Sequence, residues 1–111
     1  MSKLDEKIAF YQNEMNNLGL DCEKELLRSV TKGLGPSIYK VDAETVSGSD
    51  ENELMTVKNN FLIKKLGLND GPELDSAISM VVEKMGRSNR KKYRPIFYYL
   101  LVKEFGKESI Y

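Results

Sequence analysis

Five times along the chain a large apolar residue is followed by glycine: Leu18-Gly19, Leu34-Gly35, Leu66-Gly67, Met85-Gly86 and Phe105-Gly106. Each pair closes a stretch whose apolar residues recur three and four apart. Glycine just past a helix takes the left-handed conformation that lets the following amides cap the last carbonyls. Stops at this spacing predict an all-α chain, a compact bundle of about five helices. In "LGL" at 18–20 and 66–68 the residue after the glycine is again apolar, the contact that accompanies such a cap.

The helix starts agree with the stops. Ser2 and Asp5 have the spacing of a capping box, and Leu4, Ile8, Tyr11, Met15 and Leu18 form one stripe behind it. Asp21 is placed to cap a second helix over 22–33 that carries Leu26, Leu27 and Val30. Asp50 with Glu53 predicts a second capping box, opening a helix over 51–66 with Leu54, Val57, Phe61 and Leu62 facing inward. Pro72 fits the first turn of a helix over 72–85, buried through Leu74, Ala77, Ile78, Val81 and Met85. The connection 36–49 is long for a bare loop. Its Ile38, Tyr39, Val41 and Val46 predict short helical turns docked on the core, one of them capped by Asp42.

The last helix carries most of the interest. "RSNRKKYRPIFYYLLV" at 87–102 puts five cations in eight residues and then an apolar run. Ile96 to Val102 would cover every side of a helix, which belongs in the centre of a bundle. Ser88 suits an N-cap. Pro95 inside a helix would clash with the Lys91 carbonyl and donate no bond to it. The favoured reading is a nearly continuous helical segment distorted at Pro95. The alternative is a basic turn over 88–93 leading into a helix that begins near Pro95.

A chain of 111 residues with 41% apolar and 31% charged residues predicts one globular domain, 1–111. The apolar run after Pro95 is too short for a membrane span, and the N-terminal residues lack the apolar segment of a signal peptide. With a single cysteine, the expected location is cytoplasmic. The absence of histidine excludes Ser-His-Asp and Cys-His relays and the usual histidine-containing zinc sites. No catalytic constellation, metal site or cofactor motif is identified.

Lys+Arg and Asp+Glu are 17 each, so no overall basic field draws the chain to nucleic acid. The charge is nonetheless divided: residues 1–83 sum to −6 and residues 84–111 to +6. Helical spacing would place Arg87, Arg90, Lys91 and Arg94 near one face, with Tyr93 available to stack on a base. These five are the candidate binding residues. The competing expectation is that the protein's own carboxylates hold the cluster, with Asp42, Glu44, Asp50, Glu51 and Glu53 as partners.

Three other stretches invite chemistry and do not carry it. "KGLGPSIY" at 32–39 lacks the order of a phosphate loop and reads as a helix stop followed by proline. Cys22 lies among Asp21, Glu23 and Glu25, which oppose thiolate formation. "DAETVSGSDENE" at 42–53 lacks the spacing of a calcium loop. "LGLDCEKEL" at 18–26 and "LGLNDGPEL" at 66–74 share five of nine positions, and convergence on one good cap explains this better than an internal repeat.

"KGLGPSIY" (32–39), "VKNNFLIKKLGL" (57–68) and "KMGRSNRKKYRPIFYYLLVKEFGK" (84–107) together resemble a small bacterial family known as a domain of unknown function, number 2853. The most distinctive part is Ser88 to Leu101. The resemblance implies a bacterial cytosolic protein and supplies no activity, cofactor or catalytic residue. The expectation for function is therefore a non-catalytic interaction or regulatory module, with an unknown protein partner or self-association. Binding of nucleic acid or a phosphorylated ligand through 87–94 is the alternative.

Overall fold

The computed structural model describes residues 2–111, and the side chains of all of these except Val41 and Asp42. Helix α1 spans Lys3–Asn17, α2 Lys24–Leu34, the one-turn α3 Val41–Glu44, and α4 Glu51–Thr56 with a π-helical continuation over Val57–Lys65. Helix α5 spans Pro72–Met85 and α6 Arg94–Phe105. Short 3₁₀ turns cover Gly35–Tyr39 and Glu108–Ile110. Among the described residues no strand forms, and Thr45 and Tyr93 make one isolated antiparallel bridge. The chain is all-α.

The capping chemistry of α1 is as expected, with both halves of the Ser2–Asp5 box formed. The other starts differ. Helix α2 begins two residues later than expected, and Asp21 does not cap it. Its N-cap residue Glu23 instead donates its amide to the Tyr99 hydroxyl at 2.8 Å, so α6 secures the start of α2. Asp50 accepts from the amides of Asn52 and Glu53, but the Glu53 carboxylate turns to Arg94 and leaves the box half made. The α3 turn has Lys40 at its N-cap, so Asp42 lies inside the turn and not at its cap.

All five glycines of the opening pattern have positive φ. The two "LGL" stops differ instructively. At the end of α1, Leu20 N donates to Met15 O and Gly19 N to Asn16 O, the paired bonds of a Schellman cap. After Lys65 both bonds reach one residue further: Leu68 N to Leu62 O and Gly67 N to Ile63 O. The π register that precedes them causes this. Its wider turn aligns Val57, Phe61, Leu62 and Leu66, all buried and spaced four and five apart. At Gly67 (φ 72) a Cβ would meet nothing within 4 Å, so only the backbone penalty remains. Gly67→Ala is therefore expected to destabilise by about 1 kcal/mol, read as a lowered denaturation midpoint at constant m-value. An unchanged midpoint would show that this cap contributes nothing.

Helix α6 is the centre of the bundle and packs on α1, α2, α3 and α5. Every residue from Pro95 to Val102 is buried. One continuous apolar cluster runs from Ile8 through Leu27, Leu62 and Val81 to Leu101. Phe61 stacks on Tyr98 with centroids 4.0 Å apart, which joins the π segment to α6. In the connection after α2, Ile38 and Val46 are buried as expected. Tyr39 is not: it is 48% exposed. The Val41 side chain, expected on the core, lies outside the described side chains.

The continuous helix from Ser88 does not form. Residues 86–93 make a turn and then an extended strap, and α6 starts only at Arg94. Pro95 sits in the first turn, where a missing amide costs no helical bond. The alternative reading of this segment is the correct one.

Candidate functional site

The strap is built by its own polar residues. Asn89 Nδ2 donates to Met85 O at 3.0 Å, which satisfies a terminal carbonyl of α5, while its Oδ1 accepts from Lys91 N at 2.9 Å. The chain then runs extended beside the loop after α3, fixed by Val46 N donating to Lys92 O at 2.7 Å. In an extended segment successive side chains point opposite ways. Lys91 is accordingly exposed and Lys92 is only 2% exposed.

The Lys92 ammonium donates to the carbonyls of Arg87 (3.2 Å) and Asn89, and among the described residues it has no carboxylate partner. Burial, and secondly the Arg87 charge, push its pKa down. Sequence reasoning did not single out Lys92, because "RKKYR" gives no distinction between neighbours until the strap is known to be extended. Pro95 was the signal for it.

Arg94 is held in four ways. Its guanidinium donates to Ala43 O (2.7 Å), Thr45 O (3.4 Å) and the Tyr98 hydroxyl (3.0 Å), and pairs with the Glu53 carboxylate. Tyr93 is half-buried among aromatic rings, 5.1 Å from Phe10 and 5.6 Å from Tyr11 between centroids. Arg87 makes an exposed pair with Glu83, one turn earlier. Arg90 and Lys91 are exposed and have no ion pair among the described residues.

The five candidate residues therefore do not share a helical face. Arg94 and Tyr93 are consumed by the fold, and Arg87, Arg90 and Lys91 remain at the surface. The expected internal partners are also redistributed. Glu53 pairs with Arg94, while Glu44 accepts from Lys7 (2.7 Å) and the Tyr11 hydroxyl (2.6 Å). Asp50 caps α4, Glu51 is exposed without an ion pair among the described residues, and the Asp42 side chain is outside the described set. Backbone carbonyls, more than carboxylates, hold the basic strap.

Two surface features result. A cleft of about 670 Å³ opens between Thr45–Asp50 and Arg87–Lys92, with Ser47, Gly48, Ser49, Ser88 and Arg90 on its walls. A shallower groove of about 410 Å³ lies between α1 and the Gly35–Tyr39 turn. It exposes Phe10 and Tyr39, with Lys3, Glu6 and Lys7 at its rim. Cys22 is partly buried, and desolvation raises its thiol pKa, so it lacks the character of a reactive cysteine. Among the described residues no group of three or more His, Cys, Asp or Glu is placed to hold a metal. Among the described residues no helix is long and apolar enough to cross a membrane.

A small all-α domain with an apolar terminal helix at its centre, clasped by a basic strap, is the class these features define. The chain belongs to the family described as "Protein of unknown function (DUF2853)", whose model matches residues 9–109. No curated protein matches it.

Proposed function

We propose that the chain is a non-catalytic protein-interaction or regulatory module that docks through the Phe10–Tyr39 groove. The observation that carries this reading is the exposure of two aromatic residues in one groove, Phe10 at 39% and Tyr39 at 48%, within a charged rim. Aromatic anchors surrounded by polar residues are the usual centre of a protein–protein contact. Two tyrosines with raised pKa values are tied into the fold. Tyr11, 0% exposed, is raised first by burial and is bonded to Glu44, and Tyr111 is pushed up to about 12 by burial. Both serve packing. A cytoplasmic, bacterial setting accords with the family likeness and the single cysteine.

Recovery of partners from native cytosol, with and without nuclease, tests the reading when wild type is compared with Tyr39→Ser. The expected result is a defined protein recovered in fixed proportion by wild type, insensitive to nuclease and lost in the variant, with melting unchanged. Nuclease-sensitive recovery, or equal recovery by both proteins, would overturn it. Sedimentation of the two proteins separates self-association from a different partner.

A further inference from the structure

We propose that the cleft between Thr45–Asp50 and Arg87–Lys92 binds a phosphate monoester, gripped by Lys92, Arg90 and Arg87 with the Ser88 hydroxyl. The inference goes beyond docking at the Phe10–Tyr39 groove and does not need it.

Four observations converge. First, Lys92 is a buried cation without a carboxylate counter-charge among the described residues, and a buried charge is costly unless paired. An anion in the cleft supplies the missing charge. Second, Arg90 stands on the same wall with no ion pair among the described residues, and Arg87 holds only an exposed pair that exchanges readily. Third, the two acids that line the cleft are already engaged, Glu53 with Arg94 and Asp50 with the amides of α4. Fourth, glycine at position 48 leaves room for the Lys92 side chain against the opposite wall. A Cβ there would lie 3.1 Å from Lys92 Cε and 3.3 Å from its Nζ.

The donor set selects the ligand chemistry. Guanidinium forks, an ammonium and hydroxyls on both walls offer more donors than the two oxygens of a carboxylate accept. They suit a dianionic tetrahedral group. A nucleic-acid strand fits less well, because Tyr93 is turned into the rings of Phe10 and Tyr11 and Arg94 is committed, leaving no stacking platform beside the cleft.

Amide shifts of the isotope-labelled full chain, titrated with inorganic phosphate, O-phosphoserine and a phosphoserine peptide with its unphosphorylated twin, test the proposal. Saturable shifts confined to Thr45–Asp50 and Arg87–Lys92 are expected with the phosphorylated probes. Arg90→Gln should weaken them by about tenfold. Lys91→Gln, at the exposed neighbour outside the cleft, should leave them unchanged. These two surface variants avoid Lys92, whose substitution risks the fold. Tighter binding of the phosphopeptide than of O-phosphoserine assigns the group to a protein side chain, and equal binding assigns it to a small molecule. Either outcome supports the site. Absence of saturation with all phosphorylated probes overturns it, as does equal weakening by Lys91→Gln, the mark of diffuse surface attraction.

Discussion

Leu101→Ala is expected to lower the stability of the chain by about 2–5 kcal/mol, the cost of removing a buried leucine and leaving a cavity. Leu101 is 0% exposed and sits in the helix on which α1, α2, α3 and α5 all pack. Few neighbours can relax into the space, because Phe97 and Val102 beside it are equally enclosed. Denaturant unfolding should show a large drop in midpoint with a similar m-value. Wild-type stability in this variant would mean that α6 is peripheral, and the architecture described above would be wrong.

Arg94→Ala should cost about 3 kcal/mol, between the loss of a charge-assisted hydrogen bond and the breaking of a buried ion pair. The charge pattern alone predicted less, since exposed pairs contribute at most about 1 kcal/mol and weaken with salt. The structure changes that expectation. The Arg94 side chain is only 14% exposed and joins α6 to α3, to the loop after it and to α4. Its loss leaves Glu53 and two carbonyls without their donor. Arg94→Lys should recover only part of the stability, because an ammonium cannot reproduce the planar fork. Arg87→Ala, at an exposed pair, should change stability by less than about 0.5 kcal/mol. Unfolding of these three variants at low and high salt checks the contrast. A salt-dependent Arg94 effect no larger than that of Arg87 would contradict it.

These two residues also mark how far the sequence could be read. Features decided by local chemistry were legible. The Ser2–Asp5 box, the glycine stops, the Pro72 start and the stripe of α5 each depend on residues within one or two turns. The apolar run after Pro95 was legible because no other arrangement shelters a helix that is apolar on every side.

What escaped was decided by distant partners. Asp21 had the right chemistry for a cap, but Tyr99 supplies the bond to the amide of Glu23 from 76 residues away. Glu53 had the spacing for its box, but Arg94 offers a stronger, partly buried partner. The π register of 57–65 was present in the four-and-five spacing of its buried residues. An α-helical template absorbs that spacing, and the stack of Phe61 on Tyr98 is the contact that joins this register to the core.

In the candidate site, charge totals gave the sign of each part and no pairing. The helical template that grouped Arg87, Arg90, Lys91 and Arg94 failed at Pro95. Once the strap is extended, alternation puts Lys92 inside and Lys91 outside, while Arg90 lies exposed at the bend before them. The same change of geometry turns a supposed polyanion-binding face into a clasp closed by backbone carbonyls.

That clasp is the centre of the account, and binding of short single-stranded RNA and DNA at physiological salt tests it most directly. The proteins to compare are wild type and Arg90→Ala/Lys91→Ala, in which only exposed cations are removed. The account predicts no micromolar affinity for either protein. Micromolar binding by wild type, steeply weakened by salt and lost in the variant, would contradict it.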